Sequence, residues 1–247
     1  MIACRNLTRR FGVFTAVDQV SFEVARGTMC VFLGPNGAGK STTLKMLTGI
    51  LPPTSGDALI CERNVVTESL AVKQRIGVLP EDLGLFDDLT IEEHLLLTGR
   101  IYGLSRGETK ARAAQLMNAL GLAGAHDRLA SQGSHGMRKK TSFAMALLPN
   151  PQAVFLDEPF EAIDPVTSRV MQEMLLTAAK RGTTVFFTSH ILAIAERVAT
   201  QVIILRGGKL AWNSSMAALG RPLEDLYFEL VKPPRAEEIP WLGSSQS

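Results

Sequence analysis

Long apolar runs are missing from this sequence of 247 residues. The longest candidate, Val185 to Ala195, is shorter than the roughly 20 residues of a bilayer span. It is also interrupted by Thr188, Ser189 and His190. The first residues include arginines but no apolar run with a small-residue cleavage site, so we expect no signal peptide. The sequence therefore predicts a cytoplasmic protein without a membrane-crossing segment.

Cysteine is scarce, and neither sign of charge dominates. Cys4, Cys30 and Cys61 are scattered, without CxxC spacing or neighbouring histidines, which is typical of reduced thiols that fill a core. The 26 basic and 24 acidic residues give a net charge of +2, so we expect no nucleic-acid partner. Because 46% of the residues are hydrophobic, the chain can bury the core of one large domain, with or without an inserted lobe.

Short β-rich runs bounded by turn residues are frequent, above all near the N-terminus. They are Ile2–Arg5, Val20–Val24, Met29–Leu33, Ala58–Ile60, Arg75–Leu79, Ala153–Leu156, Thr183–Thr188 and Val202–Leu205. Met29–Leu33 and Ala153–Leu156 are almost wholly apolar, as strands of a parallel sheet covered on both faces are. We predict that these two are central strands.

Apolar residues at helical spacing predict helices that cover the sheet. One set is Leu44, Leu47 and Leu51, and the other is Val166, Val170, Met174 and Ala178. From about Thr90 to Leu148 helical signals replace strand signals, beginning with a capping box from Thr90 to Glu93. A stripe of Ala113, Leu116, Met117 and Leu120 then ends at Gly121.

These signals divide the chain into three parts. We predict one domain over residues 1–220 with a helical lobe inserted at about 83–148, and a short C-terminal extension over 221–247. The last periodic segment is Leu223–Val231, before a stretch rich in proline and serine.

Residues Gly34–Ser41 read GPNGAGKS and fit the phosphate-loop pattern GxxxxGK[ST]. The segment lies between the buried run Met29–Leu33 and a predicted helix, whose N-terminus favours anions. A glycine-rich turn that matched the pattern by chance would have no reason to lie between a buried strand and a helix. We therefore expect Lys40 to reach the β and γ phosphates of a nucleoside triphosphate, and the Ser41 hydroxyl to hold Mg²⁺. The candidate binding residues are Gly34, Pro35, Asn36, Gly37, Ala38, Gly39, Lys40, Ser41 and Thr42.

Asp157 and Glu158 follow the apolar run Ala153–Leu156, at the sheet edge where α/β folds bind ligands. We expect Asp157 to bind Mg²⁺, through water, and Glu158 to activate or position the attacking water. An isolated Asp-Glu pair is more often a solvated turn. Its combination with the phosphate loop favours the functional interpretation.

The motifs of residues 2–220, and their order along the chain, resemble those of the ATP-binding subunits of ATP-binding cassette (ABC) transporters. The resemblance implies an α/β fold: a P-loop NTPase core with a mostly parallel sheet, an antiparallel β subdomain and an inserted α-helical lobe. It also implies ATP and Mg²⁺ as ligands and an ATPase activity.

The resemblance assigns further roles to three residues. Phe11 lies where the family has an aromatic that stacks on adenine, although Phe14 is near enough to compete and Phe11 could be a core residue. His190 corresponds to the histidine that contacts the γ-phosphate, against a purely structural alternative. Asp164 corresponds to an aspartate at the interface of the family's dimer, and it could also cap the helix that begins at Pro165.

The chain departs from the family at two motifs. In place of LSGGQ stands Gly133–Met137, read GSHGM, where Ser134 and Gly136 correspond to groups that close on the ATP of the opposite subunit. The cations Arg138, Lys139 and Lys140 that follow predict a solvated basic helix face. Glu81 stands where most relatives have a glutamine metal ligand, and we expect it to approach Mg²⁺ through an oxygen atom.

The resemblance also implies partners. These are an integral membrane permease docked near Glu81–Tyr102, and a second ATP-binding subunit that is either identical or different. The chain would then be peripheral on the cytoplasmic face of the membrane, and the residues around Glu81 favour export over import. One alternative is a soluble ABC-type ATPase that acts in assembly of another complex. A P-loop kinase is a weaker one, because no acceptor site is evident.

Overall fold

The computed structural model describes residues 1–231, which form an α/β fold with two sheets. The strands are β1 Ile2–Phe11, β2 Phe14–Val24, β3 Met29–Leu33, β4 Ser55–Ile60, β5 Arg63–Asn64, β6 Ile76–Leu79, β7 Ala153–Leu156, β8 Thr184–Thr188, β9 Gln201–Arg206 and β10 Lys209–Ser215. The α-helices are α1 Lys40–Leu47, α2 Ser69–Lys73, α3 Ile91–Ile101, α4 Arg106–Ala119, α5 His135–Leu147, α6 Pro165–Lys180, α7 Leu192–Val198 and α8 Leu223–Val231.

The larger sheet has six strands in the order β10-β9-β3-β8-β7-β6. Its neighbouring strands are parallel except for β10, which pairs antiparallel with β9. Every residue of β3, β7 and β8 is buried, which confirms the prediction of central strands and agrees with the apolar composition of β3 and β7. Because these three strands are parallel, the segments that follow them meet at one edge of the sheet.

The smaller sheet is antiparallel, in the order β2-β1-β4-β5. β1 and β2 extend beyond the predicted runs and meet in a two-residue hairpin, where Phe11 pairs with Phe14 and Gly12 has a φ of 57°. Two strands were not predicted. β5 has only two residues, and β10 is a largely solvent-facing edge strand without an apolar pattern.

Three α-helices, α3 to α5, lie between β6 and β7, where the inserted lobe is predicted. The capping box of α3 is confirmed: the Glu93 N–H donates to Thr90 Oγ1 at 3.2 Å, and the Thr90 N–H donates to Glu93 Oε2 at 2.8 Å. Gly121, with a φ of 65°, follows the end of α4 as expected. α5 attaches to β6 through Gly77, where an added Cβ would lie 1.9 Å from the carbonyl oxygen of Ala146.

The predicted core face of α6 is confirmed only in part: Met174 packs against the core, but Val166 does not. Val166 is 76% exposed, and the buried line of the helix runs through Ser168, Met171, Gln172, Leu175 and Ala179. Residues spaced by four shift progressively around a helix that has 3.6 residues per turn. Residues that stay on one buried face are therefore separated by steps of three as well as four. α1 also ends at Leu47, which leaves the partly buried Leu51 beyond it.

The predicted periodic segment Leu223–Val231 is helix α8. Its Leu223 and Leu226 are buried in the core, and its main contacts are with α7 and β9. The proline- and serine-rich stretch of the extension lies outside the described residues. Within residues 1–231, no helix combines the length and the apolar character that a bilayer crossing requires.

Candidate nucleotide site

The phosphate loop, residues Gly34–Ser41, follows β3 and leads into α1. Gly39 caps α1 in a left-handed conformation with a φ of 99°, and a Cβ there would lie 2.5 Å from the carbonyl oxygen of Ala16. A Cβ at Gly34 would lie equally close to the carbonyl oxygen of Leu205. Gly37 instead faces open space. Glycine is therefore required where the loop touches its neighbours, and the loop is open at Gly37.

Lys40 is the cation of this loop. Its Nζ donates to the carbonyl oxygens of Gly34 at 2.7 Å and Pro35 at 3.2 Å, so the lysine folds over its own loop. Burial lowers the pKa of Lys40, whereas the negative charges of Glu158 and Asp157 raise it. Positive charge is thus held beside the two carboxylates that follow β7.

Asp157 is buried at the carboxyl end of β7, with 4% of its surface exposed. Its Oδ1 accepts a hydrogen bond of 2.6 Å from Thr188 Oγ1, and its backbone N–H donates to the carbonyl of Leu79 at 2.8 Å. The neighbouring strands β8 and β6 therefore fix both the carboxylate and the peptide of Asp157.

Glu158 has a φ of 45°, in the left-handed region that non-glycine residues rarely adopt. Its Oε2 lies 3.0 Å from His190 Nδ1, and the His190 backbone N–H donates to the same oxygen at 3.2 Å. Burial raises the pKa of Glu158, and the charges of His190 and Lys40 act against that increase. The Glu158 carboxylate is therefore held in place by the histidine that follows β8.

These groups line one cavity of about 730 Å³. The sequence-predicted residues along it are Asn36, Gly37, Gly39, Lys40, Ser41, Thr42, Glu81, Asp157, Glu158 and His190. An open cleft of this size, with a phosphate loop on one side and two carboxylates on the other, suits a nucleoside triphosphate.

The family model described as ABC transporter matches residues 17–161, more than half of the chain. The chain belongs to the ABC transporter family. Members of this family hydrolyse ATP, so this chain is an ATPase.

Curated relatives of this ABC protein support the assignment. Linearmycin resistance ATP-binding protein LnrL of Bacillus subtilis is 33% identical over 85% of this chain and 68% of its own length. ABC transporter ATP-binding protein NatA of the same organism is 34% identical, with 89% of this chain and 91% of NatA covered. Nod factor export ATP-binding protein I of Burkholderia lata is 36% identical, with 83% and 67% covered.

Solved structures share the fold. One ATP-binding subunit of an ABC transporter superposes with a TM-score of 0.87 at 30% identity, with 93% of this chain and 99% of that one covered. A dimeric ATP-binding cassette bound to ADP and Pi superposes with a TM-score of 0.81 at 23% identity, with 87% and 99% covered. The second likeness supports the ABC cassette fold alone.

Two neighbouring aromatic rings of this ABC protein are candidates for the predicted adenine-stacking residue. Phe11 is 46% exposed, and the guanidinium carbon of Arg9 lies 4.6 Å from the centre of its ring. Phe14, its partner across the hairpin, is 61% exposed and is the ring that lines the cavity. The role of Phe11 stays a prediction, and Phe14 competes with it as expected.

Ser134 and Asp164 each cap a helix. Ser134 Oγ accepts from the N–H of Met137 at 3.2 Å, and Asp164 Oδ1 accepts from the N–H of Thr167 at 2.9 Å. Hydrogen bonding to Thr167 lowers the pKa of Asp164. The helix-cap interpretation of Asp164 is therefore confirmed. Neither residue lines the cavity, and neither does Gly136, whereas His135 does.

The predicted solvated basic face was wrong for Lys139. This side chain is 4% exposed, and its Nζ donates to the carbonyls of Glu158 at 2.8 Å and Glu161 at 2.9 Å. The reason is that the first turns of α5 pack on the turn after β7. The buried Phe143, four residues later on the same helix face, is the sequence signal that could have revealed it.

Thr188 is the second functional candidate that sequence reasoning missed. It is the last residue of β8, fully buried, and it bonds to both acidic residues after β7. No local pattern marks such a hydroxyl, because its partners lie about thirty residues away in the sequence.

Proposed function

We propose that this chain is the ATP-binding and ATP-hydrolysing subunit of an exporter, which drives a separate membrane permease by ATP-sandwich dimerisation. The observation on which the proposal rests is the meeting of Lys40, Asp157, Glu158 and His190 along one cavity. Names of relatives, which refer to linearmycin resistance and Nod factor export, support export as the direction.

The phosphate loop binds the triphosphate. Backbone N–H groups around Gly37 and the N-terminus of α1 face the anion, and Lys40 exchanges its bonds to the loop carbonyls for the β and γ phosphates. The aromatic ring of Phe11 or Phe14 stacks on adenine.

Residues Ser41, Asp157 and Glu81 fit a magnesium ion. All three offer oxygen atoms to the same cavity, and Mg²⁺ is bound in such sites by one or two carboxylates together with substrate phosphates. No cluster of three or more His, Cys, Asp or Glu side chains forms a self-sufficient metal site within residues 1–231, so phosphate oxygens would complete the shell. When bound, the ion neutralises phosphate charge during the transfer. Glu81 carries a negative charge that the glutamine of most relatives lacks. Lys45 Nζ, 3.8 Å from Glu81 Oε2, offsets this charge.

Glu158 orients and deprotonates the attacking water. His190 keeps one carboxylate oxygen in place through its ring and its backbone N–H, which leaves the other oxygen for the water. The His190 side chain is about half exposed and can therefore also contact the γ-phosphate.

Dimerisation would complete the site. Ser134 and Asp164 are exposed at the starts of α5 and α6, and with Gly136 they lie away from the lining of the chain's own cavity. In a head-to-tail pair they would cover the nucleotide of the partner, with the N-terminus of α5 at its γ-phosphate. The partner is a second copy or a related ATP-binding subunit, and the pair would lie on the cytoplasmic face of the membrane, against the permease.

The variant Glu158→Gln tests this function. It removes the base but keeps the shape of the side chain, so we expect ATP binding to remain, turnover to fall by about 10²-fold or more, and an ATP-bound dimer to accumulate. Light scattering and phosphate release measure these effects. The matched control is Glu173→Gln on the exposed side of α6, which should behave like the parent.

Unchanged hydrolysis in Glu158→Gln would remove Glu158 from its role. Recovery of the tagged protein from membranes with a multi-span protein tests the transport assignment. A soluble multiprotein partner instead would favour the assembly ATPase.

A further inference from the structure

The backbone of Glu158 is strained. Its φ of 45° costs free energy for a residue with a side chain, and it persists only where neighbouring groups enforce it. The conformation decides where the carboxylate points, because the side chain leaves the backbone at this residue. The groups that bond to the Glu158 peptide units therefore matter for the reaction.

On the amino side, the Glu158 N–H donates to Thr188 Oγ1 at 2.8 Å. The same hydroxyl donates its own proton to Asp157 Oδ1 at 2.6 Å. The side chain has no access to solvent, so water does not compete for either bond. One hydroxyl thus fixes the peptide of the proposed base and the carboxylate beside it.

On the carboxyl side, the Glu158 carbonyl accepts a hydrogen bond from Lys139 Nζ at 2.8 Å. The ammonium also bonds to the Glu161 carbonyl at 2.9 Å, so it spans the turn that follows β7. Burying a lysine costs free energy, as its lowered pKa shows, and an apolar residue would avoid that cost. Lys139 comes from α5, three residues after the Gly136 predicted to cover the partner's ATP.

We propose that Thr188 and Lys139 are positioning residues that clamp the Glu158 peptide from both sides and aim its carboxylate at the attacking water. The clamp rests on the proposed role of Glu158. It also gives α5 a direct bond to the backbone carbonyl of Glu158, so that contact of the α5 N-terminus with a partner's nucleotide can adjust the proposed base through one side chain.

The contribution of Thr188 is tested by two variants. Thr188→Val keeps the shape of the side chain and removes the hydroxyl, and Thr188→Ser keeps the hydroxyl. We expect kcat of the valine variant to fall about tenfold or more while the Kd for ATP changes less than about threefold. The serine variant should retain most of the parent kcat. A serine variant as slow as the valine variant would show that the hydroxyl is not the reason.

The contribution of Lys139 is tested by Lys139→Met, with Lys110→Met as the matched control on the exposed face of α4. We expect lower kcat with retained ATP binding in the first variant and parent behaviour in the second. The Lys139→Met comparison also tests the proposal if Thr188→Val does not fold. Loss of ATP binding in parallel with kcat, or parent kcat in folded Lys139→Met, would overturn the clamp.

A double variant separates the clamp from the proposed function. Adding Lys139→Met to Glu158→Gln should cause no further loss, because the group being aimed is already gone. A further loss of similar size would mean that Lys139 acts elsewhere. If Glu158→Gln itself hydrolyses ATP normally, the role of Glu158 fails; if it is slow while Thr188→Val and Lys139→Met are fast, only the clamp fails.

Discussion

Glu158 carries a charge that the folded chain stabilises poorly. Burial raises its pKa above that of an ordinary glutamate, so ionisation of the carboxylate costs folding free energy. This cost is absent at low pH, where glutamate is protonated in both the folded and the unfolded chain. It appears as the pH rises from about 4 through the raised pKa of Glu158.

The expected result is that Glu158→Gln is more stable than the parent at pH 8, and that its advantage shrinks as the pH falls towards 5. Thermal unfolding of both proteins without nucleotide, over this pH range, measures the difference. Glu173→Gln, at an exposed position of α6, is the matched control for the substitution itself. An advantage that grows on acidification would contradict the assignment of burial as the dominant cause.

The two aromatic rings of the β1–β2 hairpin can be separated by experiment. Phe11→Ala should weaken ATP binding by about tenfold and leave pyrophosphate binding unchanged, since stacking on a base contributes about 1–3 kcal/mol. Phe14→Ala is the matched variant across the hairpin. If only Phe14→Ala discriminates ATP from pyrophosphate, the ring that lines the cavity is the stacking residue. Equal loss for both ligands would exclude stacking at the ring that was changed.

At the level of the elements, β6 and α5 are so close at Gly77 that no side chain fits between them. A methyl group at Gly77 would overlap the carbonyl of Ala146, so Gly77→Ala must push the helix off the sheet. We expect a loss of about 2 kcal/mol or more in the free energy of unfolding, measured by urea denaturation. Gly107→Ala is the matched control, because a Cβ there meets open space on α4, and it should be neutral or stabilising by about 0.5–1 kcal/mol.

Elements whose partners are local could be predicted from the sequence, and others could not. The capping box at Thr90 and the phosphate loop contain their own determinants within a few residues. The face of α6 and the strand β10 depend on what packs against them, and periodicity alone gave only part of the face or no signal. The burial of Lys139 depends on a turn some twenty residues further along, and its local signal is limited to the apolar Phe143 on the same helix face.

At the scale of the whole molecule, the proposed pairing predicts a nucleotide-dependent cross-link. Ser134→Cys in one protomer should form a disulfide with Asn36→Cys in the other, in the Glu158→Gln background with ATP and not without it. Cys4 and Cys30 are buried, and burial raises the pKa of the Cys4 thiol to about 12, so Cys61→Ser is the one background change needed. Gly107→Cys with Asn36→Cys is the control pair. Failure to trap Ser134 near the phosphate loop of a partner would contradict the sandwich.

A helical lobe grafted onto this protein from another cassette would have to bring its own β6. The close contact between β6 and α5 depends on the absence of a side chain at residue 77 and on the position of the carbonyl at residue 146. A chimera that exchanges only residues 80–148 would therefore pack the α5 of one protein against the β6 of another. Moving the boundary to the residue before Ile76 would keep both elements together.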